Sequence, residues 1–478
     1  MEQVSKNYEN QASEVGMLER LFKLSEHNTN VKTELMAGLT TFVTMSYIMF
    51  LNPIIMSKTG MPFDGLFLAT CLGAAIATIL MGLYANWPVG LAPGMGLNAF
   101  FTFSVVGAMG YSWQIALGAV FLSGVIFVLM SVTRLREWML DSIPMSLRLA
   151  MTAGVGLFLG FIGLRFTGII VPNPDNVVAL ADLTHFGFGK FGPEAPALGF
   201  ISFLLIAVLS YRKVFGAVLI GIAATTFIAF AMTWVLPTDF FVVAEEAKGW
   251  APASGFVAYK GLLAIPEFSA LEPILWKADI AGAFQVALIP VIVTFLFVNI
   301  FDTAGTLMGV AERAKLQDEN GKIQGLSKSL KADSVSSVIG TAFGCPPVTS
   351  YVESAAGVAV GGRTGLTAVT IGLLFAVGMF FLPLAQMLPG FAVDGALIYV
   401  AMLMMSSLKG LDWDDLTEYA PAVCTTVMMA FTFSIANGIA FGFITYTVLK
   451  VGAGKSSEIS NGVWALTALF IAKFIFLT

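Results

Sequence analysis

Long apolar segments alternate with short polar ones from about residue 35 almost to the end of the chain. A membrane-spanning helix needs about 20 predominantly apolar residues, so this pattern predicts an all-α polytopic membrane protein of about fourteen spans. A polar stretch at 237–280 divides the spans into two groups of equal number. The predicted runs are 35–56, 65–85, 89–107, 114–132, 147–167, 195–211 and 214–236 before this stretch, and 281–309, 332–345, 350–360, 365–384, 390–408, 418–434 and 436–451 after it.

Composition narrows the class of protein. Hydrophobic residues make up 57% of the 478 and charged residues only 12%, whereas soluble domains carry about 25% charged residues. The net charge of -5 offers no basic surface for nucleic acid. Because the three cysteines and two histidines lack the spacing of a metal or haem site, no metal or cofactor is expected.

The distribution of basic residues predicts an orientation. The amino end is polar and lacks the apolar segment of a signal peptide, so we expect it to stay in the cytoplasm. Lysine and arginine are concentrated in the loops that would then share its side, as the positive-inside rule requires. The sequence therefore predicts a multi-pass protein of the plasma (inner) membrane, with the lipid bilayer as its surroundings.

The two halves show signs of an internal repeat. An odd number of spans in each half places the halves in opposite orientations, so a repeat must be inverted, an architecture typical of secondary transporters. Weak similarity aligns Asn52 with Asp302 and, at a slightly different shift, Gly94 with Glu353. The alternative is chance similarity between apolar helices.

Two stretches, in spans 3 and 10, interrupt the apolar pattern at corresponding points of the halves. Residues 86–98 contain two prolines and three glycines, and residues 344–357 contain a Pro-Pro pair preceded by glycine. Proline lacks a backbone donor and glycine loosens the chain, so each break predicts an extended segment followed by a half-helix. Non-helical backbone at membrane depth is tolerated where it lines a cavity, so the breaks predict a substrate site near the midplane. The alternative is a pair of packing kinks.

Two acids fall within these elements. Asp302 lies inside an apolar helix and Glu353 at the start of the second half-helix; ionisable groups at membrane depth are costly and usually functional. Glu353 is predicted to accept hydrogen bonds from two adjacent N–H groups of a planar ligand. Asp302, among hydrophobic neighbours, is predicted to exchange the coupling proton, although the two roles could be exchanged. The alternatives are an interhelical hydrogen bond for Asp302 and a helix cap for Glu353; Asp333 is interpreted as a boundary charge outside the site.

Neutral side chains near the breaks complete the candidate cavity. The polar ones are Asn52, Asn98, Thr303, Thr349, Ser350 and Ser354. Asn98 is the strongest candidate, because it follows the first break by one turn and carries both a donor and an acceptor. Phe100, Phe101 and Tyr351 could stack on a flat ring. Taken singly, such residues more often join helices or fill a core.

Three motifs together resemble the AzgA-like adenine/guanine/hypoxanthine permeases, a branch of the nucleobase:cation symporters. They are Ala92–Phe100, Phe301–Thr306 and Tyr351–Gly365, and the likeness extends from about Met17 to Val451. The resemblance implies a seven-plus-seven inverted repeat of core and gate domains, proton-driven purine uptake and homodimers formed through the gate domain. The domains it implies are a core domain, 35–132 and 281–384, and a gate domain, 133–236 and 385–451. Hydropathy and charge add a cytoplasmic segment 1–34, an extracytoplasmic loop 237–280 and a terminal segment 452–478, whose apolar run 461–477 is an interfacial helix or a fifteenth span.

The resemblance also implies roles for single residues. The family's third-span asparagine falls on Asn98, its eighth-span acid on Asp302 and its tenth-span acid on Glu353. The remaining expected substrate contacts are Gly94, Met95, Asn52, Ser350, Tyr351 and Thr303. The stretch around Gly94 is more similar to the adenine-transporting branch, so we expect a proton symporter for adenine, with a guanine/hypoxanthine-selective or broad purine permease as the alternative.

Functions of other classes fit the residues less well. An anion transporter of the same fold is disfavoured, because two acids without a basic residue in the cavity would repel an anion. A channel would need a repeated filter or a continuous polar stripe, and a membrane-embedded enzyme would need a catalytic or metal-binding set, none of which is visible.

Overall fold

The computed structural model describes residues 16–133, 143–173, 177–180, 194–235, 260–285, 288–314, 316 and 323–476. These residues are mostly helical. Eight of the described helices are long and apolar enough to cross a membrane, and four further apolar helices are shorter. The chain is therefore a mostly helical, multi-pass membrane protein.

The first half contains nine helices and three strands among its described residues. In chain order they are α1 (Met17–Phe22), α2 (Val31–Met45), α3 (Ile48–Ser57), α4 (Phe63–Leu80), β1 (Leu91–Pro93), α5 (Met95–Ala99), α6 (Trp113–Val132), α7 (Met145–Phe166), β2 (Ile170–Asn173), β3 (Val177–Leu180), α8 (Glu194–Tyr211) and α9 (Ala217–Val235). Helices α4 and α5 continue as π-helical segments, Met81–Ala85 and Phe100–Ala108.

The described part of the second half contains ten helices and one strand. They are α10 (Ile280–Ala283), α11 (Ile289–Arg313), α12 (Leu326–Ala342), β4 (Val348–Ser350), α13 (Ser354–Val360), α14 (Gly365–Gly378), α15 (Leu382–Ala385), α16 (Gly390–Met405), α17 (Leu416–Phe431), α18 (Ile435–Gly452) and α19 (Asn461–Phe476). Short 3-10 turns lie at Phe268–Leu271, Met379–Phe381, Ser406–Gly410 and Ser456–Glu458.

Most helices match the predicted apolar runs within a few residues, and the differences have local causes. The run predicted at 281–309 is wrong at its start, because the long helix α11 begins at Ile289 with Pro290 in its first turn, where a proline costs no hydrogen bond. Helix α12 begins at Leu326, before the predicted residue 332, since its first two turns are polar. The first span is divided into α2 and α3 at Ser46 and Tyr47.

Both predicted breaks are confirmed. Strand β1 leads into the half-helix α5 and strand β4 leads into α13. The two strands pair antiparallel, with Leu91 opposite Ser350 and Pro93 opposite Val348. The pairing satisfies backbone groups that the breaks remove from helices, as buried backbone requires, and it brings the starts of both half-helices to one place.

The helices pack in two groups. One group contains α2–α6 and α11–α14, and the other contains α7–α9 and α16–α18. The groups meet where α5 and α11 lie against α7 and where α11 lies against α18. They also meet where α2 lies against α9 and where α3 lies against α16.

Helix α19 lies antiparallel to α18 along most of its length. The Thr447 and Thr467 hydroxyls are 2.8 Å apart near one end, and the Lys473 ammonium donates to Asn437 Oδ1 at 2.6 Å near the other. Between them, the rings of Phe443 and Phe470 lie 5.7 Å apart, centroid to centroid. The two helices α18 and α19 therefore form a helical hairpin, with contacts along their length and not only at one end.

Candidate functional site

Glu353 lies at the N-cap position of α13. It directly follows the strand crossing, which is the antiparallel pair formed by β1 and β4. Its side chain makes no capping hydrogen bond; instead, Oε1 accepts a 2.7 Å hydrogen bond from the hydroxyl of Tyr47. Tyr47 is 2% exposed, whereas Glu353 keeps part of its surface accessible. The helix-cap interpretation is therefore wrong for this carboxylate, which is held by Tyr47 and keeps part of its surface accessible.

Asp302 lies in the middle of α11 and is also partly exposed. Its carboxylate makes no hydrogen bond to any residue in the described part of the chain. The neighbouring residue on the same helix, Thr303, donates a hydrogen bond to Asp333, so Asp302 lies next to the buried Asp333 contact. The expected alternative, an interhelical hydrogen bond to Thr or Asn, is therefore not present among the described residues.

Asp333 belongs to the same cluster, and its interpretation as a boundary charge is wrong. The residue is fully buried in α12. One carboxylate oxygen accepts hydrogen bonds from the backbone N–H and the hydroxyl of Ser350, both at 2.8 Å, and the other accepts from the Thr303 hydroxyl at 2.6 Å. The Thr303 and Thr349 hydroxyls are 2.8 Å apart. Asp333 therefore fixes β4 to α11 and α12.

Asn98 and Asn52 form a buried chain of amides on the other side of the crossing. Asn98 Nδ2 donates to Asn52 Oδ1 at 2.6 Å, and Asn52 Nδ2 donates to Thr70 Oγ1 at 2.7 Å. Asn98 Oδ1 is buried and has no partner in the described part of the protein. An unpaired buried acceptor costs about 1–3 kcal/mol, so a further hydrogen-bond donor at this oxygen would be favourable.

The strand crossing itself is tightly packed. The Tyr351 hydroxyl donates to the carbonyl of Pro93 at 2.6 Å, and the Gly94 N–H donates to the carbonyl of Pro347 at 3.1 Å. A Cβ atom at Gly94 would lie 2.9 Å from Thr349 Cγ2, closer than such atoms approach in real structures. Met95, at the start of α5, is 7% exposed.

Gly96 brings the first half-helix against the other group of helices. A Cβ atom there would collide with Cγ1 of Val155 in α7. The glycine therefore permits contact between the two groups next to the strand crossing.

The structure brings together most of the sequence-predicted residues but not the aromatic pair at the start of the π-helical segment that follows α5. Phe100 and Phe101 are fully buried, and the Phe100 ring packs edge-on against Phe295 with centroids 4.9 Å apart. They therefore form core rather than a surface that a ligand could stack on. Tyr47 and Asp333 were not predicted from the sequence as residues of the site. The available signal for Tyr47 was its place beside the bend in the first span, and the signal for Asp333 was its place among the serines of α12.

The amino-acid sequence is similar to those of known permeases. Residues 32–441 match the model of a family described as a permease family. The chain is 46% identical over 474 residues to adenine permease AdeP of Escherichia coli (strain K12), covering 99% of each chain. It is 40% identical over 461 residues to guanine/hypoxanthine permease PbuO of Bacillus subtilis (strain 168), covering 96% of this chain and 100% of the relative.

Among solved structures, the transmembrane domain of the cyanobacterium bicarbonate transporter BicA is similar in fold. The TM-score is 0.57 at 16% sequence identity, with 85% of this chain and 97% of the other covered. At this identity the similarity concerns the fold alone.

Proposed function

Because the chain belongs to this permease family, we propose that it imports purine nucleobases, adenine first, by proton-coupled alternating access. Relatives named as adenine permeases, 46% identical over nearly the whole chain, support the purine class and the preference for adenine. The chain is a transporter and not an enzyme.

One observation carries the proposal: Asp302, Glu353 and the unpaired Oδ1 of Asn98 lie beside the crossing of two broken spans. A neutral purine presents ring and exocyclic N–H groups in one plane. Glu353, held by Tyr47 on one oxygen, accepts hydrogen bonds from two of them, and Asn98 Oδ1 accepts from another. Gly94, Met95 and Tyr351 form the close wall around the bound ring.

Proton coupling is assigned to Asp302. Its carboxylate has no hydrogen bond from a described residue, and two further carboxyl groups lie near it. Binding or loss of a proton there changes the charge of the site without breaking a structural contact. Asp333, by contrast, accepts two hydrogen bonds from Ser350 in β4 and one from Thr303 in α11, so we assign it a structural role in positioning these two residues.

The architecture is proposed as fourteen spans in a seven-plus-seven inverted repeat. The antiparallel pairing of β1 with β4 and the similarity in fold to the BicA transmembrane domain support it. The core domain would comprise 35–132 and 281–384, and the gate domain 133–236 and 385–451, in line with the two packing groups. We further propose homodimers through the gate domain, and a plasma (inner) membrane location with a cytoplasmic amino end.

Two other substrate classes are alternatives to adenine. A guanine/hypoxanthine-selective or broad purine permease is favoured by the 40% identity to PbuO. An anion transporter is suggested only by similarity of fold, and three neighbouring carboxyl groups would repel an anion.

Uptake of labelled adenine by cells that lack their own purine permeases tests the function. Cells producing the protein should accumulate adenine, and a protonophore should abolish accumulation. Unlabelled adenine should compete better than guanine or hypoxanthine, and uracil and bicarbonate should not compete. Better competition by guanine or hypoxanthine would move the assignment to the other purine class, and accumulation that ignores the protonophore would overturn proton coupling.

A further inference from the structure

A second cavity lies on the face of α12 that points away from the candidate site. Its volume is about 280 Å³, and it opens to the surroundings between α4, α6 and α12. The side chains that line it include Leu80, Tyr84, Val128, Val132, Lys331 and Val335. Asp333, two residues from Lys331, points to the opposite face of the same helix, where it binds Thr303 and Ser350.

This cavity forms a groove near the end of the helix bundle at which the amino-terminal helix α1 lies. Two contacts fix this level: Asn86 Nδ2 donates to the carbonyl of Phe22 at 3.0 Å, and Trp87 Nε1 donates to the carbonyl of Gln324 at 3.0 Å, just before α12 begins. Tyr84, 47% exposed, lies within one turn of these residues. A tyrosine at this depth is typical of the membrane interface.

The lining divides into a polar mouth and an apolar interior. Lys331 makes no hydrogen bond or ion pair through its ammonium group with any described residue, and the Tyr84 hydroxyl likewise has no described partner. Val132 is 68% exposed and Val335 is 37% exposed, so the apolar walls face lipid. Lysine side chains in such positions extend their ammonium groups to the headgroup region.

We propose that this groove is a binding site for an anionic phospholipid. One acyl chain lies between α6 and α12 against Val128, Val132 and Val335, and the phosphate is bound by the Lys331 ammonium and the Tyr84 hydroxyl. The positive charge of Lys331 favours an anionic headgroup, as the basic residues of lipid-binding pockets between spanning helices do. The lipid then packs against the helix that carries Asp333 on its other face.

Photo-crosslinking of the whole purified protein tests this site. The protein is reconstituted in phosphatidylcholine vesicles that contain phosphatidylglycerol with a photoreactive group in one acyl chain, and the labelled peptides are mapped. Label is expected on the segments of α4, α6 and α12 that line the groove. Lys331→Gln should reduce this labelling about fivefold, the effect of one basic residue at a membrane surface.

Two further variants separate the site from general surface charge. Lys409→Gln removes an exposed lysine between α16 and α17, outside the groove, and should leave labelling unchanged. Val335→Trp should fill the groove and reduce labelling without a change of charge, while thermal unfolding shows that each variant is folded. Equal loss in Lys331→Gln and Lys409→Gln, label spread evenly over lipid-facing helices, or equal labelling by photoreactive phosphatidylcholine would overturn the proposal.

Discussion

The hydroxyl of Tyr47 donates a 2.7 Å hydrogen bond to Oε1 of Glu353, although 306 positions separate the two residues. Tyr47 lies where the first span is divided into α2 and α3, and Glu353 lies where α13 begins. This hydrogen bond therefore links the bend in one span to the break in another, and it orients the acid to which we assign purine recognition.

Removal of this hydrogen bond should weaken substrate binding. Hydrogen bonds to charged groups contribute about 1.5–3 kcal/mol, so Tyr47→Phe is expected to lower adenine affinity by at least about tenfold. Equilibrium binding of labelled adenine to the purified protein measures this. Tyr399→Phe, a buried tyrosine of α16 without a hydrogen bond to a described residue, is the control. Equal affinities in the two variants would contradict the role of Tyr47.

Asp333 should be required for stability as well as for transport. Asp333→Asn replaces an acceptor oxygen with a donor, so Ser350 or Thr303 loses its partner, at about 1–3 kcal/mol for each buried group left unpaired. We expect a free energy of unfolding lower by about 2 kcal/mol and weaker adenine binding. Denaturant unfolding in detergent measures the first quantity. Asp64→Asn, which affects a single hydrogen bond from Gln386, is the control and should change the free energy of unfolding and adenine binding less. Unchanged stability in Asp333→Asn would refute the positioning role of Asp333.

The close approach at Gly96 predicts a loss that a second substitution repairs. The Cβ atom of Gly96→Ala collides with Val155 Cγ1, and overpacking of this kind costs about 1–3 kcal/mol. Because this collision displaces the contact between the two helix groups, adenine uptake at saturating substrate should fall clearly below that of the parent protein. The double variant Gly96→Ala/Val155→Ala should recover most of the rate, whereas Val155→Ala alone should transport nearly normally. Failure of the double variant to recover would mean that Gly96 is needed for another reason.

Stability toward acid should depend on Asp415, at the membrane surface. Hydrogen bonds from the Lys455 ammonium, at 2.8 Å, and from Thr417 hold the pKa of the Asp415 carboxyl well below its usual value. Since the pKa is lower in the folded chain than in the unfolded chain, this contribution is complete above about pH 4 and is lost as the pH falls toward the folded-state pKa. Thermal unfolding measured from about pH 5 to about pH 3 should therefore decline less in Asp415→Asn than in the parent protein. Asp412→Asn is the matched control, and an equal change there would contradict the assignment.

Much of the fold was accessible from the sequence because its signals are local. Apolar runs mark the helices, and the density of proline and glycine at 86–98 and 344–357 marks the two breaks. The pairing of β1 with β4 was not accessible, because its register depends on residues far apart in the chain. The hairpin of α18 and α19 likewise depends on contacts such as that of Lys473 with Asn437, which hydropathy does not encode.

The candidate site was predictable where a residue is unusual for its surroundings. Asp302 and Glu353 are rare charges in apolar segments, so they could be identified directly. Asp333 was missed because the polar first turns of α12 concealed the start of the helix, and Tyr47 because its role depends on a distant partner. The π-helical geometry after α5, which turns Phe100 into the core, leaves no sign in residue spacing.

The central claim assigns different roles to the two predicted acids. Glu353→Gln retains the shape of the side chain but replaces an acceptor oxygen with a donor, so it should bind adenine at least about tenfold more weakly. Asp302→Asn should retain most of the binding and lose accumulation, because the side chain can no longer exchange a proton. If Asp302→Asn lost binding and Glu353→Gln kept binding but lost accumulation, Asp302 would recognise the purine and Glu353 would carry the proton.

Proton movement tests this claim most directly. The protein is reconstituted in vesicles that enclose a pH-sensitive dye, and adenine is added outside under an inward proton gradient. The account predicts that adenine accelerates acidification of the interior for the parent protein, whereas Asp302→Asn exchanges labelled adenine with no adenine-dependent change in pH. Adenine entry into vesicles containing the parent protein without proton movement, or a normal proton signal from Asp302→Asn, would contradict it.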